Sequence, residues 1–361
     1  MSAWKYKQVT PKVLVNMLRL IQPKDMLDLA ERPLDQICSL LGKTPYQEEL
    51  SEMPPQQVDS ISLEDALLRN FVQTFDEIAQ YSPKGIANLL DTTLMKFDAS
   101  NVKAILRARS AGLAADEAMK YVVPARGLGT AECSEILRSS KDVHDVVKLL
   151  SGSQYGSVLE KMLDEYEKTG VLFPLEAALD KCVFGRIWKA VGKLRGLDGR
   201  IARTVLGLEV DSVNIRVILR CKEAGVPEDW VRQYLIPVSE VFSERELEGA
   251  VKAADVESAV KCLLAAAKFN LARDHQNLLT ELTDDYRAHG SLSGLEMVMD
   301  RGLLRTSLRM LKRYTPFFNV GVVLAFLNLK WFELRNLRTI ITGRQEDVPL
   351  ERTKELLILP C

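Results

Sequence analysis

Apolar residues recur along this 361-residue chain at helical rather than strand spacing. Val143, Val146, Val147 and Leu150 fall on one helix face, the stripe that a buried face requires. Val213, Ile215, Val217, Ile218 and Leu219 belong to a second such segment, whose polar edge carries Arg216 and Arg220. Asn-Gly and Asp-Gly hairpin signals are nearly absent, and Asp198-Gly199 lies between helical patterns. The pattern predicts an all-α chain.

A long internal repeat organises these helices. Phe97 to Arg107 (FDASNVKAILR), Val210 to Arg220 (VDSVNIRVILR) and Phe332 to Thr342 (FELRNLRTIIT) align at offsets of 113 and 122 residues. Upstream, Leu63-Glu64, Leu175-Glu176 and Leu295-Glu296 precede these blocks by 34, 35 and 37 residues. Downstream, Pro124, Pro237 and Pro360 follow by 27, 27 and 28. Leu34, Ile37, Leu40, Leu41 and Tyr46 resemble Val143, Val146, Leu149, Leu150 and Tyr155, with a fainter third copy ending at Phe269. The period is that of a small domain, not of a solenoid unit of about 20–50 residues. Three domains are expected, at 1–125, 126–238 and 239–361. Three equivalent copies invite closure about a pseudo-threefold axis.

Composition narrows the function. Lys and Arg number 48 against 49 Asp and Glu, so the overall basic excess of a duplex nucleic-acid binder is missing and no nucleic-acid partner is expected. Six scattered cysteines and three histidines form no CxxC pair and no zinc spacing, so neither metal nor cofactor is expected. The near-apolar run from Phe317 to Leu329 is shorter than the roughly 20 residues a bilayer span needs. The first twenty residues lack the apolar run of a signal peptide. Together these features predict a soluble chain, any membrane contact of which is peripheral or through a partner.

No phosphate loop, HExxH or GxSxG motif occurs, so no catalytic residue is predicted and the chain is read as a non-enzyme. The repeated polar positions are the candidate site: Asp98, Asp211 and Glu333, with Asn101, Asn214 and Asn336 three residues further on the same helix face. They suit a ring around a central hole that contacts a partner or a trapped ion. Architecturally, the acid would serve a helix N-terminal turn and the Asn would satisfy backbone between packed helices. The cations Lys103, Arg216, Arg338, Arg107 and Arg220 suit helix C-terminal halves or a phosphate-binding ring. Pro227 and Pro349 are expected at the first positions of helices.

The block from Phe317 to Pro360, with KWFELRNLRTIITGR at Lys330 to Arg344, closely resembles the end of the C (d-type) subunit of archaeal and bacterial A/V-type rotary ATPases. TPYQEEL at Thr44 to Leu50 and DASNVKAILRARSAGL at Asp98 to Leu113 resemble the same family. The resemblance runs from about Tyr6 to Pro360. It implies a helical funnel of three similar domains on the cytoplasmic face of the membrane, seated on the proteolipid ring and receiving the central-stalk subunits D and F. It further implies a rotor adaptor that passes torque for ion-coupled ATP synthesis or hydrolysis. The readings from the residues alone that remain beside it are a general helical scaffold and a metal-dependent helical enzyme using the acid and Asn positions.

Overall fold

The computed structural model describes residues 3–52, 60–123, 125–314 and 318–360, so the markers Pro124 and Phe317 lie outside the described residues. Among the described residues the chain is helical and contains no strand, as the periodicity predicts.

After α1 (Val9–Leu18), one pattern of six helices runs three times. Its first pass is α2 (Pro23–Ala30), α3 (Leu34–Leu41), α4 (Gln47–Ser51), α5 (Ser60–Tyr81), α6 (Lys84–Ser110) and α7 (Ala115–Ala118). The second is α8 (Thr130–Ser139), α9 (Val143–Leu149), α10 (Gly156–Thr169), α11 (Phe173–Gly192), α12 (Gly196–Glu223) and α13 (Glu228–Tyr234). The third is α14 (Glu244–Val251), α15 (Val256–Phe269), α16 (Arg273–His289), α17 (Leu295–Tyr314), α18 (Val320–Gln345) and α19 (Leu350–Glu355). The fifth helix of each pass, 27, 28 and 26 residues long, carries the repeated acid and Asn.

Local chemistry sets several boundaries. Asp142 and Asp255 cap α9 and α15 by accepting from the N–H of Asp145 and Ser258. Ser243 and Glu246 form a reciprocal capping box on α14. Pro227 and Pro349 stand one residue before α13 and α19, at the cap rather than at the first helical position expected of them.

By internal contacts, residues 1–90 with 304–361 form one compact unit and 91–303 another. In the first, α5 lies along α18, with α1 and α2 also against α18 and α19 against α2. Phe71 meets Trp331 edge-on at 5.6 Å, and Phe326 and Phe332 are fully buried. In the second, α12 is a spine contacted by α11, α13, α14 and α15. Its buried positions, among them Ile201, Val205, Leu208, Ile215 and Leu219, fall on all sides, as a central helix demands. No described helix is long and apolar enough to cross a membrane.

The three long helices end alike. Leu113 N–H donates to Ala108 C=O, Val226 to Cys221 and Val348 to Gly343, each closing a six-residue turn. The residue before each donor is left-handed: Gly112 (φ 68°), Gly225 (φ 66°) and Asp347 (φ 49°). The third copy thus places a side chain where the other two have none. Gly225→Ala is expected to cost about 1 kcal/mol and Asp347→Gly to gain about 0.5–1 kcal/mol. Urea unfolding of both variants checks the opposite signs.

Candidate functional site

Each repeated Asn fastens the chain 22 residues downstream. Asn101 accepts from Val123 N–H at 2.8 Å while its Nδ2 donates to Val123 C=O at 2.7 Å and Leu128 C=O at 2.8 Å. Asn214 accepts from Ile236 N–H at 2.8 Å and donates to Ile236 and Val238 C=O, both at 3.2 Å. Asn336 accepts from and donates to Ile358, each at 2.8 Å. An amide is the side chain for this task, because it offers a donor and an acceptor side by side. The irregular segment after each long helix would otherwise bury unpaired backbone.

One turn earlier, each acid binds beyond its own repeat. Asp98 Oδ1 accepts from Gly127 N–H at 3.2 Å and Leu128 N–H at 3.0 Å, and Oδ2 accepts from Tyr155 OH at 3.1 Å. Asp211 accepts from Glu240 N–H and Val241 N–H, both at 3.1 Å, and lies 2.8 Å from His275 Nε2. Glu333 accepts from Ile21 N–H at 2.5 Å, Tyr46 OH at 2.7 Å and Lys330 Nζ at 2.9 Å. In the first two copies the backbone donors follow the acid by 29 and 30 residues. In the third the donor comes from Ile21, and the glutamate's extra methylene lengthens the reach. At Gly127 the approach is so close that a Cβ would lie 2.3 Å from Asp98 Oδ2.

The ring partners follow a cyclic order. The acid of the first repeat takes Tyr155 of the second, that of the second takes His275 of the third, and that of the third takes Tyr46 of the first. Burial and the neighbouring carboxylate charges push the Tyr46 and Tyr155 hydroxyls far above the ordinary phenol range, so both remain donors at any physiological pH. Lys330, itself buried, lies 3.9 Å above the Tyr46 ring and supplies Glu333 with a countercharge.

Most of the repeated cations follow the same order, whereas Arg216 lies 3.8 Å from Asp180 of its own repeat. Lys103 and Arg107 pair with Asp180 and Glu176 of the second repeat, each at 2.5 Å. Arg220 pairs with Glu296 of the third. Arg338 pairs with Glu64 of the first at 2.8 Å, where Thr342 OH adds a bond at 3.1 Å. Arg107 and Arg220 stand in the last turns of α6 and α12, as a cation near a helix C-terminus would, and Arg107, Arg220 and Arg338 also bind the Leu-Glu markers of the next repeat.

All six candidate residues are buried. The acids lie in the middle of α6, α12 and α18, not in the N-terminal turn that the architectural reading assigned them. In the segments they hold, Arg126, Pro237 and Glu240 are exposed. The sequence markers include Tyr46 and Tyr155, but the faint third copy runs to Phe269, whereas His275 makes the contact. Among the described residues, no three His, Cys, Asp or Glu side chains converge as a metal ion requires.

The model of the ATP synthase (C/AC39) subunit family matches residues 9–356. The chain is 30% identical over 332 residues to the C subunit of the A-type ATP synthase of Methanothermobacter thermautotrophicus, covering 91% of this chain and 83% of that one. It is 25% identical over 354 residues to the corresponding A-type ATP synthase protein of Methanocaldococcus jannaschii, covering 98% and 86%. It is 26% identical over 325 residues to that of Haloferax volcanii, covering 90% and 89%. A match that spans all three repeats and the segments their acids hold leaves one conclusion: the chain belongs to the ATP synthase (C/AC39) subunit family.

Proposed function

We propose that this ATP synthase component is a rotor adaptor without catalytic activity of its own. In this reading it joins the central-stalk subunits D and F to the membrane proteolipid ring on the cytoplasmic face and carries torque between them. Its three repeats, 1–125, 126–238 and 239–361, act as similar domains set in a funnel about a pseudo-threefold axis.

The observation that supports this reading is the cyclic order of the junctions. A part under torque must resist shear between its domains. Here the buried acid contacts run from the first repeat to the second, the second to the third, and the third to the first. Surface pairs run in the same order. Buried charged hydrogen bonds of this kind are worth about 1.5–3 kcal/mol each, whereas exposed ion pairs contribute about 0–1 kcal/mol. Resistance to shear therefore rests mainly on the acids. Asp98, Asn101, Asp211, Asn214, Glu333 and Asn336 serve the partner interface from beneath, by fixing the segments around Arg126, Pro237 and Glu240 on which the stalk bears.

Titration of a purified D–F pair into this chain is expected to give a one-to-one complex, and the isolated chain is expected not to turn over ATP. Failure of D–F to bind would contradict the adaptor reading. So would ATP turnover abolished by a point substitution in this chain.

Asn214→Ala is expected to cost about 2–4 kcal/mol by stranding the N–H and C=O of Ile236. It is also expected to weaken stalk binding under conditions where the chain remains folded. Asn101→Ala is expected to behave alike. Denaturation midpoints and binding isotherms on the same samples check both effects.

A further inference from the structure

The first helix is apolar on both sides. α1 lies against α18 and α5, and its Val9 and Val13 are fully buried. Pro11, Val15 and Leu18 share the opposite face of the same helix. Nothing in the chain covers that face: Val15 is 48% exposed and Leu18 84%. Trp4, in the helical turn Ala3–Tyr6 just ahead of α1, is 74% exposed. One exposed apolar side chain is ordinary, but a tryptophan followed by an apolar outer helix face marks a surface adapted to contact.

The charge around this surface has a single sign. From Met1 to Lys24 the chain carries Lys5, Lys7, Lys12, Arg19 and Lys24 and no acid, although its cations and acids balance overall at 48 to 49. Lys12 is turned to the protein, donating to Glu77 at 2.6 Å and lying 4.1 Å above the Tyr81 ring. Lys5, Lys7, Arg19 and Lys24 are exposed. Lys7 Nζ stands 5.0 Å from the centre of the Trp4 ring, which places a cation beside the most exposed aromatic group. The first acids of the chain, Asp25 and Asp28, share a cleft with Arg19, Arg32 and Lys43, where cations still outnumber them.

We propose that Trp4 and the outer face of α1 rest on an anionic bilayer surface. Trp4, Val15 and Leu18 enter the headgroup region, while Lys5, Lys7 and Arg19 meet lipid phosphates. The combination of groups decides the occupant. Apolar patches that bind proteins are depleted of Lys, whereas interfacial helices pair Lys and Arg with Trp and Leu. Charge complementarity points the same way, because each cation near an anionic leaflet strengthens binding about fivefold. An apolar face this small gives weak and reversible attachment by itself, so its cations supply the second attraction that peripheral binding needs. The proposal does not rest on the rotor-adaptor reading: vesicle binding is a property of the isolated chain, and the stalk subunits test the other.

The test sediments the purified chain with vesicles of phosphatidylcholine alone, or mixed about three to one with phosphatidylglycerol, at low and high salt. Wild type is expected to bind the mixed vesicles about tenfold or more tightly than the neutral ones, with the difference shrinking in high salt. Val15→Ser/Leu18→Ser and Lys7→Gln/Arg19→Gln are each expected to weaken that binding about tenfold or more. All four side chains are exposed, so the circular dichroism spectrum is expected to stay unchanged. Mixed vesicles are expected to shift tryptophan emission to the blue in wild type and not in Trp4→Phe. Equal binding to both kinds of vesicle, or wild-type binding by either double variant, overturns the proposal. Leu18-dependent self-association without lipid overturns it too, by assigning the face to a second copy. Both double variants are expected to keep wild-type affinity for the D–F pair. Loss of that affinity assigns the face to a protein and overturns the proposal while leaving the rotor-adaptor reading intact.

Discussion

A carboxylate buried halfway along a helix is the constraint from which the rest of this structure follows. Placed away from water without partners, such a group costs several kcal/mol. Asp98, Asp211 and Glu333 escape that cost only when the chain presents N–H, O–H or imidazole groups to them. The backbone donors fix the segment after the long helix in the first two repeats, and the ring partners fix a neighbouring repeat. Removing either kind of partner leaves a buried charge short of donors. The acid therefore ties the fold of one repeat to its packing on the next.

Repeats with similar apolar stripes also have to be kept from pairing in the wrong order. The hydrophobic stripe does little here, because Val102, Ile105 and Leu106 have close counterparts in Ile215, Ile218 and Leu219. The polar junctions differ where the stripes do not. Asp98 meets Tyr155, Asp211 meets His275, and Glu333 meets Tyr46 together with Lys330. An aspartate lacks the reach that the third junction uses, and a phenol offers one O–H where an imidazole offers two ring nitrogens. These differences of one methylene and one ring type give each interface its own fit.

The helical class and the triplication were legible because both depend on local spacing. Apolar stripes mark helices, and the acid-x-x-Asn block recurs whatever it touches. The contacts were not legible for the same reason. Tyr46 and Glu333 are 287 residues apart, and only the fold brings them together. Asn101 and Val123 are closer, 22 residues apart, but an irregular segment gives no periodic sign of which backbone group an amide will take. His275 follows Leu263 by twelve residues, where Tyr46 and Tyr155 follow Leu41 and Leu150 by five, so a pattern tuned to the first two repeats ran to Phe269. The acids looked like helix-start residues because the long helices begin well before the repeated block, at Gly196 in α12 and at Val320, behind an Asn319 cap, in α18.

Coupling between adjacent repeats is tested most directly by a double-mutant cycle across the first junction, using Asp98→Asn, Tyr155→Phe and their combination, read by equilibrium unfolding. The contact at 3.1 Å predicts a coupling energy of about 1–3 kcal/mol between Asp98 and Tyr155. Asp98→Asn combined with Tyr46→Phe, which removes the ring of a different junction, should be additive within about 0.5 kcal/mol. Additivity across Asp98 and Tyr155, or equal coupling of Asp98 to both tyrosines, would contradict the claim that each acid binds its repeat to the next.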